Sequence, residues 1–196
     1  MKKTIEQVIF AILFIIGGIC QVSCNQKVAK EQVESQVAEK ESTCLTAVDD
    51  YLVNEFGKHY VQGDVCIPCA YVIDKDESNA DDILVWGDFW VFNYKLSGDT
   101  LKTVSGGAHP GLMHVQKTDD GFKVTGFDAV VDGSGNLESA KKIFGEKFPA
   151  YQAVSSDDKK REENRARIVA EYVKENNLSA TMYQDEGWPV VNLPHE

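Results

Sequence analysis

The sequence predicts an α+β fold, with an N-terminal helix packed on a twisted antiparallel sheet and a C-terminal helical extension. Three patterns carry this reading. Residues 83–96 form the densest apolar run after residue 24. Apolar runs punctuated by turn residues follow it up to Val131. Apolar side chains recur at three- and four-residue spacing on either side of this region, in residues 43–57 and 157–177.

The leader comes first. Lys2 and Lys3 precede an apolar segment from about Val8 to Ile19, too short for a membrane span and suited to a secretory signal covering residues 1–23. Residues 24–42 are polar and charged, and their thin apolar stripe predicts a flexible tether. Residues 43–196 are then expected to form a single domain, with its core in 43–132 and a helical extension and tail in 133–196. Ser42 or Thr43 is positioned to cap a helix in which Leu45, Val48, Leu52 and Phe56 share a face and Gly57 ends the run. After Gly63 and Asp64 comes an apolar, β-branched strand that contains Cys66-Ile-Pro-Cys69, and Pro68 restricts it to an edge or a bulged strand. Residues 74–82 read as an acidic loop.

The central run is apolar on both faces. Trp86, Asp88, Trp90, Phe92 and Tyr94 alternate onto one side, and Val85, Phe89 and Val91 onto the other. Such a strand belongs inside a covered sheet. Asp88 breaks the aromatic row, and burying its carboxylate costs several kcal/mol unless it is paired or protonated. Ser97-Gly-Asp-Thr100 predicts a hairpin. Pairing Ser97 with Thr100 projects Tyr94 opposite Thr103, Trp90 opposite Gly107 and Asp88 opposite His109; a bulge at Gly106-Gly107 would turn His109 away. Thr118-Asp-Asp-Gly121 makes the next hairpin.

In the extension, residues 140–148 predict a helix stopped by Pro149. Ser155 or Ser156 is positioned to cap a longer helix over residues 157–177, whose stripe is Ile168, Val169, Tyr172 and Val173. The tail at 188–194 is apolar and extended, as a docked segment would be.

The leader resembles a bacterial lipoprotein signal, because Ser23 precedes Cys24 as a small residue precedes the lipidated cysteine in that class. Gln21 departs from it, standing where such signals usually carry an aliphatic residue. The resemblance implies a mature chain that starts at acylated Cys24 and is held at a membrane in the cell envelope, outside the cytoplasm. The alternative is an uncleaved signal anchor. A helix leading into an aromatic meander, with Asp120-Gly-Phe-Lys-Val124 late in it, looks like the cystatin-like and NTF2-like superfamily over roughly residues 43–131. That resemblance implies a cone-shaped pocket between helix and sheet, used by relatives for binding, catalysis or protein contacts.

The charge of -11 disfavours nucleic acid, since an acidic surface repels phosphate backbones. Cys66-Ile-Pro-Cys69 lacks the following helix that would activate a redox thiol. With Cys24 lipidated, three cysteines remain, and the export compartment allows one disulfide with one thiol left over; joining Cys44 to Cys66 or Cys69 would staple helix to sheet. His114 reads as part of a solvated face. No residue cluster has a recognised metal spacing, so neither metal nor cofactor is expected. The expected function is non-catalytic binding of a protein partner or small ligand by a membrane-tethered lipoprotein, through Trp86, Asp88, Trp90, Tyr94 and His109. The alternative is a small hydrolase or isomerase using Asp88 and His109 as an acid and base pair.

Overall fold

The computed structural model describes residues 43–194. The expected signal peptide, the expected lipidation site Cys24 and the expected tether lie outside the described residues. Those residues form an α+β fold in which a six-stranded sheet is covered on both faces.

Helix α1 spans Cys44–Tyr51. Thr43 caps it, its Oγ1 accepting from the Thr46 N–H at 3.1 Å. A π-wound turn, Leu52–Phe56, and a 3-10 turn, Gly57–His59, continue the run past Gly57, where the sequence places its end. The buried face is Cys44, Ala47, Val48 and Leu52, and Leu45 is 41% exposed. Val48 and Leu52 are buried as the spacing predicts and Phe56 packs beside them, but Leu45 turns outward because small Cys44 and Ala47 side chains occupy the contact in its place. Val48 and Leu52 pack on Ile83, Val85, Phe89, Met113 and Val115. Each such burial stabilises by about 1.5–3 kcal/mol.

Strands β1 (Val65–Asp76), β2 (Ile83–Ser97), β3 (Thr100–Thr118) and β4 (Gly121–Ala129) form the antiparallel meander. Gly98, with φ +66°, makes the hairpin between β2 and β3. Pro68 lies on β1, an edge strand, as its missing N–H requires. The register begins as the hairpin dictates, with Ser97 opposite Thr100 and Tyr94 opposite Thr103. It then slips by one residue. Asn93 faces Ser105, so Val104 is the extra residue, and the bulge falls there and not at Gly106-Gly107. Trp90 therefore faces Ala108, and Asp88 faces Pro110.

Gly145, at φ +51°, terminates α2 (Asn136–Phe144). Pro149 does not stop a helix but opens α3 (Phe148–Ser155), in the first turn where its lack of an N–H costs nothing. Helix α4 (Asp158–Glu175) is capped by Asp157, not by Ser155 or Ser156; the Asp157 carboxylate accepts from the Lys160 N–H at 3.1 Å. Its buried stripe is Ala166, Val169 and Val173, with Ile168 and Tyr172 partly buried beside it. The chain ends in β5 (Met182–Gln184), parallel to β3 at residues 100–102, and β6 (Val191–Asn192), antiparallel to β5. Helices α2, α3 and α4 thus cover the aromatic face of β2, and α1 covers the other.

Candidate functional site

On the aromatic face, α4 and the tail stand off the sheet and leave an open cleft of about 730 Å³. Trp90 and Phe92 of β2 form its floor together with residues 103–106 of β3. Arg161, Glu162 and Arg165 of α4 form one wall, and Tyr183 and Asp185 the other. Trp188, 71% exposed, stands at the mouth beside Glu186 and Val190.

Arg165 organises this face. It precedes Val169 and Val173 by four and eight residues, so its side chain lies on the buried stripe of α4 and is only 11% exposed. Its Nε donates to the Tyr94 hydroxyl, Nη1 to Asp185 Oδ2, and Nη2 to Asp185 Oδ1 and to Thr103 Oγ1, each at 2.8 Å. The guanidinium also sits 3.6 Å from the Phe92 ring centre and 4.3 Å from that of Tyr183. Burial works against the charge, yet Tyr94 and Asp185 hold it firmly protonated. Burial alone would raise the Asp185 carboxyl, and the Arg165 hydrogen bonds outweigh it and hold the group below the usual carboxylate range. The bulge at Val104 makes this possible, because it leaves Thr103 on the Arg165 side while Ser105, two residues on, faces α1 and donates to the Val61 carbonyl at 2.6 Å.

Arg161 lies over Trp90, 5.4 Å from the ring centre, donates to the Ser155 carbonyl at 2.9 Å and pairs with Asp158. Glu162 and Glu186 make no ion pair among the described residues.

The sequence-predicted residues divide. Trp90 lines the cleft. Tyr94 is fully buried and touches the cleft only through Arg165. Trp86 packs under α2, its indole N–H donating to the Ile143 carbonyl at 3.1 Å and Lys147 sitting 4.4 Å above its ring, so it belongs to the core. Asp88 is 2% exposed, and among the described residues its Oδ2 has no hydrogen-bond partner; the neighbouring Trp90 indole N–H has none there either. Burial pushes the Asp88 carboxyl up, an effect that the Arg161 charge offsets only in part.

His109 is on the opposite face from Asp88. It pairs with Phe89, stacks on Phe56 at 3.8 Å and meets the Tyr60 hydroxyl through Nε2 at 3.1 Å. Burial pushes its pKa down. The expected contact between Asp88 and His109 is therefore corrected, because the extra residue at Val104 reverses the direction of every later β3 side chain. With it goes the geometric basis for an acid and base pair.

Cys66 and Cys69, three residues apart in one strand, point to opposite faces of the sheet. The disulfide that the export compartment allows is not formed here: Cys44, Cys66 and Cys69 are all free thiols, and burial pushes Cys69 up to about 12. His114 is partly exposed and is held between the exposed carboxylates of Asp82, at 2.8 Å, and Asp128, at 3.6 Å. Among the described residues no group of three or more His, Cys, Asp or Glu side chains is placed to hold a metal ion.

The residues missed from the sequence are Arg161, Arg165 and Asp185. Arg165 left one signal, its helical spacing to Val169 and Val173. No protein-family model matches the chain, and no curated protein or solved structure matches it.

Proposed function

We propose that the chain is a membrane-tethered envelope lipoprotein whose folded unit binds a small ligand or a segment of a partner in the cleft between β2, β3 and α4, without catalysis. The order of a helix followed by a four-stranded meander supports placing the fold near the cystatin-like and NTF2-like superfamily. The observation that carries the binding reading is the cleft itself. It is large enough for a ligand, floored by Trp90 and Phe92 and fixed by the Arg165 network, and it leaves Trp188 in solvent at its mouth. An exposed indole beside two carboxylates favours an aromatic or cationic ligand.

Phenethylamine, a ring carrying a cation, is a minimal probe. Titrated against the full chain in detergent and followed by saturation-transfer NMR, it should bind saturably in the millimolar range expected for a ligand of this size. Trp188→Ala should weaken it several-fold, while His109→Gln on the other face should not. Absence of saturable binding, or indifference to Trp188→Ala, overturns the reading.

A further inference from the structure

Strand β3 runs for 19 residues, and one of its edges is incompletely used. Away from β2, residues 100–102 pair with β5, residues 111–118 pair with β4, and the Pro110 carbonyl accepts from the Val130 N–H at 2.9 Å. Residues 103–109 carry no backbone partner on that side among the described residues. This open edge is about 23 Å long at the usual rise per residue. Proteins protect such edges with lysine, proline, a bulge or a covering element, and the bulge of this stretch, at Val104, lies near its beginning and leaves residues 105–109 in regular register. Here Thr103-Val-Ser-Gly-Gly-Ala-His109 contains neither residue type, and Val104, Gly106 and Ala108 are exposed. Residues 103–106 also belong to the cleft, so a strand laid on this edge would direct alternate side chains towards Glu162, Glu186 and Trp188.

We propose that this edge takes an extended, basic segment of a partner protein as an added antiparallel or parallel strand. The proposal rests on the cleft reading and names its occupant. Charge selects that occupant. Arg161 is neutralised by Asp158 and Arg165 by Asp185, which leaves Glu162 and Glu186 as the unbalanced charges facing the groove. A second copy of this chain, at a formal -11, would be repelled, whereas lysine side chains would be drawn to the rim. Main-chain hydrogen bonds to residues 103–109 would supply affinity, and the two carboxylates the preference for cations.

The test uses the full chain in detergent and a labelled, end-capped seven-residue peptide alternating Lys and Val, followed by fluorescence anisotropy and by amide hydrogen exchange. The peptide should bind saturably and slow exchange at residues 104–109. Of two counterparts, each N-methylated along one edge, at least one should bind about tenfold more weakly, the loss expected from one or two main-chain hydrogen bonds. The double variant Glu162→Gln with Glu186→Gln should weaken binding by about fivefold, and a peptide alternating Glu and Val should bind more weakly still. Binding by both N-methylated counterparts, or by the Glu and Val peptide, as tight as that of the Lys and Val peptide overturns the proposal. So does a concentration-dependent dimer that protects residues 104–109 without peptide, since it would assign the edge to a second copy. If phenethylamine binds and the Lys and Val peptide does not, strand addition fails and the cleft reading stands. If neither binds, both fail.

Discussion

Replacing Arg165 with Met tests whether one side chain joins β2, β3, α4 and the tail. Met preserves most of the apolar stem that lies against Phe92 and Tyr183, so the loss is mainly that of the guanidinium. The Tyr94 hydroxyl, on a fully buried residue, loses a charged donor, worth about 1.5–3 kcal/mol. Asp185, with a side chain 41% exposed, recovers hydration, so breaking its pair costs only about 0.5–1 kcal/mol. Loss of the stacked cation between two rings adds a comparable amount. The expected destabilisation is about 3 kcal/mol, which at an m-value of about 2 kcal/mol/M lowers the urea midpoint by about 1.5 M. Arg167→Met on the same helix removes an exposed pair with Glu171 and should cost under about 0.5 kcal/mol. The sign with pH also follows. Asp185 has a depressed pKa in the fold, so the contribution of the pair is present above the unfolded carboxylate value of about 3.9 and is lost as pH falls through the folded one. A wild-type minus Arg165→Met difference below about 1 kcal/mol at neutral pH, or one as small as that for Arg167→Met, would refute this account of the face.

Two further outcomes are expected. Asp88→Asn should raise the unfolding temperature at neutral pH, because the folded carboxyl is pushed up by burial; the gain should shrink as pH falls through that raised folded pKa and be gone below the unfolded value of about 3.9, where both states hold the proton. Calorimetry across pH checks it, and a variant less stable than wild type at neutral pH contradicts it. Mass spectrometry of the membrane fraction should find an acylated N-terminal peptide beginning at Cys24, and a mature chain retaining residues 1–19 rules that out.

Much of the meander was legible because its signals are local. The alternation of β2 and the Ser97-Gly-Asp-Thr100 turn fix the first pairs of the hairpin, and Pro68 sits at an edge as its chemistry demands. What failed to show were choices made by distant partners. Val104 is an ordinary strand residue, and nothing near it marks a bulge. The slip is useful only because Thr103 reaches Arg165 while Ser105 reaches Val61, contacts 62 and 44 residues away in sequence. Gly106 and Gly107 gave the stronger local signal, yet their lack of side chains serves close packing: a Cβ on Gly106 would collide with the Phe92 ring, and one on Gly107 with the Tyr60 hydroxyl. The cleft was half legible. Trp90 and Asp88 mark its floor and the buried, under-partnered carboxylate next to it, but Arg161, Arg165 and Asp185 come from the polar extension, where charge reads as solvated surface. Pro149 was misjudged because proline stops a helix from within but is welcome in its first turn, and only the position of Gly145 decides between the two.

The measurement that bears most directly on the binding site is an amide and indole chemical-shift map of the full chain titrated with phenethylamine. The account predicts saturable shifts at the Trp90 and Trp188 indoles and along residues 103–106, with Phe56, Tyr60 and His109 unmoved. Shifts centred on Phe56, Tyr60 and His109, with the Trp90 and Trp188 signals unchanged, would place binding on the opposite face and contradict it.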